Sequence, residues 1–176
     1  MPKAAGVVLP VLVDGRAVYA QVRVVSARTT GPRYLNPTAD LARNPRLAFF
    51  LPGEQSRHEV IVTEGAIDAL SAAAAGFRAA AVLSAAYTDR AVAHELSRLP
   101  DPLVIAFDQD DAGRAAAQRL TALLDAHQRQ PVKLELPASD LNETLLRSSN
   151  WPKELELRVK ASLGQRAASR GLERSQ

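Results

Sequence analysis

Residues 102–120 read PLVIAFDQDDAGRAAAQRL. A short apolar run of strand length ends in three carboxylates within four positions, Asp108, Asp110 and Asp111, and Gly113 then opens an alanine-rich helical pattern. Apolar strand, polar turn and amphipathic helix in succession are the unit of a parallel sheet. Working outward, the same unit recurs from His58 onward. The order is EVIVTE, then AIDALSAAAAG closed by Gly76, AAAVLS, TDRAVAHELSRL, the opening stretch itself, and finally VKLEL. The strands are continuous apolar runs, as expected of strands buried on both faces, so the fold class predicted is α/β, a parallel sheet with helices on both faces.

In an open parallel sheet, ligands bind outside the carboxyl ends of the strands. Three strands here finish in acid or amide groups. The first gives Glu64, with Asp68 four residues on and one turn up the helix on the same side. The third gives Asp108 and Asp110, two apart in nearly extended chain and so pointing the same way. The stretch PASDLNE after the last strand adds Asp140 and Asn142. Several carboxylates at one mouth repel one another unless a cation compensates, and no lysine lies nearby in sequence. Oxygen-only donors favour a hard divalent cation, Mg2+ or Mn2+. For Asp111 and Asp140 taken singly, capping a helix N-terminus is an equally good use of the acid, and Asp111 is assigned that role.

Composition narrows the chemistry further. The chain has 176 residues and no cysteine, which excludes disulfides, iron–sulfur clusters and thiolate zinc sites. Its three histidines, His58, His94 and His127, are scattered in sequence. No apolar stretch approaches a membrane span, and the opening residues meet Pro10 and Asp14 too early for a signal peptide, so a cytoplasmic location is expected. The net charge of +3 conceals a division. Residues 1–57 and 151–176 are basic, whereas residues 58–150 hold eight Lys/Arg against thirteen Asp/Glu. Basic ends suit phosphates and an acidic centre suits cations. Three regions are therefore expected: a small basic N-terminal subdomain (1–57), the α/β domain (58–150), and a basic C-terminal helix with a disordered tail (151–176).

In the N-terminal region, GVVLPVLV and AVYAQVRVV flank Asp14-Gly15, a hairpin signal. Alternation in the second run puts Tyr19, Gln21 and Arg23 on one face, predicted to be exposed, and Val18, Ala20, Val22 and Val24 on the other. The connector that follows carries Arg33-Tyr34-Leu35-Asn36-Pro37.

The pairing of EVIVTEGAIDAL with LVIAFDQDDAGRAAA resembles the Toprim domain, the metal-binding α/β module of bacterial primases, topoisomerases and some nucleases. Glu64-Gly65 and Asp108-x-Asp110 match its two defining motifs. The flanking residues, together with the hairpin and Arg33-Tyr34-Leu35-Asn36-Pro37, are most similar to the bacterial-type primase branch and its phage and plasmid forms. The resemblance spans roughly residues 6–147. It implies synthesis of short RNA primers on a single-stranded DNA template from ribonucleoside triphosphates, with Mg2+ or Mn2+ as cofactor. It implies Glu64, Asp108 and Asp110 as catalytic residues and Glu64, Asp68, Asp108, Asp110, Asp140 and Asn142 as metal-holding residues. Arg23, Arg33, Tyr34 and Asn36 would line the nucleic-acid and nucleotide path. A replicative helicase or a separate template-binding chain is the further partner implied. Two departures stand out: Leu83-Ser84-Ala85 replaces a Leu-Gly-Thr pattern, and Asn142 stands where many relatives carry an acid. Two alternatives keep the fold and change the function: a Toprim nuclease, or a non-catalytic nucleic-acid-binding accessory of a mobile element.

Overall fold

The computed structural model describes residues 5–25, 31–53 and 57–173. Its chain divides into two units, Met1–Pro45 and Arg46–Gln176. In the first unit, strands β1 (Gly6–Val13) and β2 (Arg16–Val24) pair antiparallel through a turn in which Asp14 and Gly15 both take positive φ, 50° and 74°. That left-handed pair matches the twist of the strands it joins, which is why Asp-Gly sits there. Strand β3 (Tyr34–Leu35) adds to β2, giving the order β1-β2-β3.

The covered face of this sheet is the opposite of the one expected. Tyr19 and Gln21 are each 4% exposed, while Val18 is 45% exposed. That face is covered together with Leu9 and Val11 of β1, which lie opposite Gln21 and Tyr19, and the connector supplies its polar groups with partners. Asn44 Nδ2 donates to Tyr19 Oη at 3.2 Å, and Gln21 Nε2 donates to Asn36 Oδ1 at 2.9 Å.

The second unit holds a five-stranded sheet in the order β4-β6-β5-β7-β8. Its strands are β4 (Ala48–Phe50), β5 (Val60–Thr63), β6 (Arg78–Ala81), β7 (Leu103–Ile105) and β8 (Val132–Lys133). Strands β5 to β8 are mutually parallel, and β4 joins the β6 edge antiparallel. That pairing places residues from Arg46 onward with the α/β body, upstream of the boundary the charge pattern suggests. The crossovers are α1 (Ala66–Ala74), α2 (Arg90–Ser97) and α3 (Asp111–Asp125), followed by α4 (Leu141–Leu146) and α5 (Trp151–Glu173).

Helices α2 and α3 cover one face, packing Val92, Leu96, Ala116, Leu120 and Leu124 onto Val60, Val62, Ala80 and Ile105. Burying each Val, Leu or Ile side chain among these contributes about 1.5–3 kcal/mol. Helices α1, α4 and α5 are tied together beyond the other face: Trp151 Nε1 donates to the Ser71 carbonyl at 3.5 Å, and Leu155 and Val159 are buried one and two turns on. Helix α5 then continues through Gly164 to Glu173, so most of the tail expected to be disordered is helical; residues 174–176 lie outside the described residues. Pairs four apart, Glu154 with Arg158 and Glu156 with Lys160, support the helix. Arg166 donates to the Gln130 carbonyl near its far end. Among the described residues no helix is long and apolar enough to cross a membrane.

Candidate active site

Strands β5 and β7 are parallel neighbours in the centre of the sheet, with Val62 level with Ile105. They therefore release Glu64 and Asp108 at the same end. The Ala106 amide donates to the Val62 carbonyl at 2.8 Å, carrying the register to the last residues before the acids. Gly113 sets how closely α3 closes on this point. A Cβ there would lie 2.5 Å from Glu64 Oε1 and closer still to the Asp108 carbonyl oxygen. No side chain fits, and that is the physical reason for the glycine read in the opening stretch.

Charge accumulates at this mouth. Burial pushes the Asp108 carboxyl up to about 7, reinforced by Glu64, Asp68, Asp140 and Asp110. Glu64 is raised by burial and then by Asp110 and Asp68, while the Asp108 backbone N–H and the Arg119 charge act in the other direction. Asp68 is raised by burial, with Asp140 adding to it and the Asn142 backbone N–H opposing. Among the described residues, Glu64 Oε1 is buried with no hydrogen-bond partner. A buried carboxylate oxygen without a donor is costly unless a cation or water answers it.

The other acids are partly occupied. Asp110, not Asp111, caps α3, its Oδ1 accepting from the Gly113 N–H at 2.7 Å. Asp111 is the first helical residue; its exposed side chain pairs with Arg114 at 2.6 Å. The cap falls on Asp110 because that residue still has extended backbone, φ −90° and ψ 176°, as an N-cap requires. Asp140 caps α4 by accepting from the Glu143 N–H at 2.6 Å. Asp68 Oδ1 accepts from the Asn142 N–H at 3.0 Å, and the Asn142 side chain accepts from Ser71 Oγ at 3.3 Å. This brings Asp68, Asp140 and Asn142 together across α1 and α4. Among the described residues, no three acid or histidine side chains are gathered as a ready-made metal site. The donor set nevertheless fits a hard cation: it is all oxygen, its acids raise one another's pKa, and one buried oxygen lacks a donor.

Two groups near the site have no signal in the motifs. Arg119 Nη2 donates to the Thr88 hydroxyl at 3.0 Å, joining α3 to the segment after β6. Helical spacing places Arg119 at the margin of the Ala116–Leu120 stripe, but nothing in the pattern says that its charge reaches Glu64. Leu83, where the Leu-Ser-Ala departure begins, is buried with φ 61°, so a branched side chain takes the left-handed conformation there.

In the first unit, the Arg23 guanidinium lies 4.9 Å from the centre of the Tyr34 ring, its partner across β2 and β3. Arg23 is half-buried by this contact rather than fully exposed. The Arg33 carbonyl accepts from the Val24 N–H at 3.0 Å, and the residue is exposed. Asn36 Oδ1 is taken by Gln21.

Residues 61–145 match the family model described as Toprim-like. The DNA primase of Listeria innocua is 30% identical over 136 residues, covering 74% of this chain and 22% of that protein. The chain thus spans about a quarter of the length of the curated relatives it matches. Among solved structures, the zinc-binding and RNA polymerase domains of the Aquifex aeolicus primase superpose with a TM-score of 0.68 at 22% identity, covering 89% of this chain and 40% of that one. A primase catalytic domain solved bound to single-stranded DNA gives 0.64 at 23% identity, covering 89% and 51%. The mixed sheet flanked by helices is that of these domains, and residues 61–145 form a Toprim-like domain similar to those of DNA primases.

Proposed function

We propose that this chain is the catalytic core of a primase, joining ribonucleotides into short RNA primers on single-stranded DNA. The observation that carries this reading is the placement of Glu64 and Asp108 at neighbouring strand ends, with a buried Glu64 oxygen that has no partner. Asp108 and Asp110 would be the main holders of Mg2+ or Mn2+, with Asp68, Asp140 and Asn142 beside them. Bound there, such a cation would supply Lewis-acid neutralisation of the triphosphate and of the attacking oxygen. The 3′-hydroxyl oxygen forms a bond to the α-phosphorus, the bond from that phosphorus to the bridging oxygen breaks, and pyrophosphate leaves. Glu64, its basicity raised by burial, is suited to take the hydroxyl proton. Arg23 and Arg33, with Tyr34 and Asn36, would position phosphates and carry no base reading. A helicase or a separate template-binding chain would be the partner in replication.

The test is incubation with single-stranded DNA, ribonucleotides and Mg2+ or Mn2+. Lengthening RNA products that need the cation support the reading. Shortened DNA or RNA would instead establish a nuclease, and binding without either product an accessory role. Asp110→Asn sharpens the result, because asparagine caps a helix as well as aspartate does but carries no charge. It should abolish synthesis while leaving the thermal transition in place; retained synthesis would remove Asp110 from the ligand set. Arg33→Ala should weaken single-stranded DNA binding and lower the salt slope by about one. An unchanged slope would exclude Arg33 from the path.

A further inference from the structure

We propose that His94 and His127 form a second cation site, one that takes a borderline transition-metal ion such as Zn2+ or Ni2+ between two imidazole nitrogens; it stands independently of the primase reading. Two of the chain's three histidines, far apart in sequence, come together here. Their ring centres lie 5.8 Å apart with the ring planes at 56°. Two imidazoles that share one ion through metal–nitrogen bonds of about 2.0–2.1 Å have ring centres about 5–6 Å apart, so small side-chain rotations close the chelate. The backbone under each ring is held in place. His94 lies in the last turn of α2, whose Val92, Ala93 and Leu96 share one buried core with Leu120 and Leu124 of α3. His127 follows the C-cap of α3, and its N–H donates to the Leu124 carbonyl at 2.9 Å. The Gln128 and Arg129 N–H groups then close the turn on the Asp125 and Leu124 carbonyls, with Gln128 at φ 58°. Both histidines are exposed, and among the described residues no hydrogen bond or ion pair engages either ring.

Each of these helices returns the chain to the edge where β7 or β8 begins, so α2 and α3 end side by side. Helix C-termini carry partial negative charge, and two of them together favour a cation. Helix α3 has 15 residues, so about 20 Å of helix separates this pair from the acids at its other end. The donors differ in kind as well as in place: imidazole suits Zn2+, Ni2+ and Cu2+, whereas Mg2+ prefers oxygen. Among the described residues no third acid or histidine joins the pair, so water fills the other coordination positions. An ion held there ties the end of α2 to the end of α3 and stabilises the folded chain, because only folding brings the two rings together.

The test is calorimetric titration of the whole, untagged chain with Ni2+ at about pH 8, where an ordinary imidazole is neutral, with Mg2+ in excess to occupy the oxygen donors. Thermal melting is followed beside it. One ion should bind per chain, and Ni2+ at a hundredfold excess over its Kd should raise the melting temperature by about 5 °C or more. His94→Ala and His127→Ala should each weaken Ni2+ binding about tenfold or more, since the remaining imidazole loses the effective concentration of its partner. The double variant should lose little beyond either single one. His58→Ala, at the third histidine, should bind as wild type does, and so should Asp108→Asn at the acidic mouth. In chelator both single variants should melt with wild type, because the rings are exposed. Ni2+ binding within twofold of wild type in either His94→Ala or His127→Ala would overturn the proposal. Binding lost in Asp108→Asn and kept in both histidine variants would do the same and put the ion at the mouth. One ion per two chains, with a doubled mass in sedimentation, would also overturn it and assign the imidazoles to a contact between copies. Failure to make primers leaves this site standing, and failure to bind Ni2+ here leaves the primase reading standing.

Discussion

The two units treat their polar side chains in opposite ways. At the mouth of the parallel sheet, Glu64, Asp68 and Asp108 are drawn into partial burial that raises their pKa, neighbouring acids add to the rise, and one oxygen lacks a donor among the described residues. In the N-terminal sheet, Tyr19 and Gln21 are buried but answered by Asn44 and Asn36, while valines of the other face lie open. One arrangement is unsatisfied by the chain alone and the other is closed within it. Carboxylates left in repulsion point to a missing counter-charge, whereas satisfied amides and a phenol point to structure.

This contrast can be broken at several places. The largest effect belongs to Gly113→Ala, whose methyl must displace the Asp108 backbone or Glu64. Urea unfolding should show a loss of about 2–3 kcal/mol, the scale of overpacking, together with lost cation binding. Gly164→Ala in α5, where a Cβ meets nothing within 4 Å, should instead gain about 0.5–1 kcal/mol and serves as the control.

In the N-terminal unit, Asn36→Ala leaves the buried Gln21 side-chain amide without this acceptor and should cost about 1–3 kcal/mol by the same measurement. No loss would mean that the amide pair is not what holds that face.

A pH experiment separates the two regions by proton linkage. Asp108 has a folded pKa of about 7, above the roughly 3.9 of an unfolded aspartate. The folded state therefore favours the proton, and the cation-free protein should lose stability as pH rises from about 4 to about 7 and level off above that. Asp108→Asn should flatten this slope and melt higher than wild type near neutral pH in chelator. Adding Mg2+ should stabilise wild type more than the variant. A wild-type melting curve insensitive to pH over that window, or equal Mg2+ gains, would contradict the repulsive-cluster account. The smallest effect is expected from Val18→Thr on the open face of β2, within about 0.5 kcal/mol.

Much of this molecule is legible in the chain because its signals are local. The apolar runs announce β5, β6 and β7, helical spacing announces α1 to α3, and Asp-Gly announces the hairpin. Glu64 and Asp108 can be placed together from the order of residues, since parallel strands that follow one rule end at one edge. Alternation in β2 separates the two faces correctly. It does not reveal which is covered, because that depends on the distant Asn36 and Asn44. Likewise His94 and His127 are far apart in sequence, yet their rings lie 5.8 Å from each other where α2 and α3 end.

Local pattern also leaves the capping residue one position in doubt. Asp110 and Asp111 are chemically identical; only the backbone angle at the end of the turn makes Asp110 the cap and sends Asp111 to solvent beside Arg114. The sequence by itself determined the α/β architecture, the hairpin and the acid-bearing strand ends. Tertiary structure alone decided the covered face of the first sheet, the full length of α5, and the reach of Arg119 to Thr88 and Glu64. The physical reason is range: periodicity and turn chemistry act over a few residues, whereas burial and charge coupling depend on which distant segments the fold brings into contact.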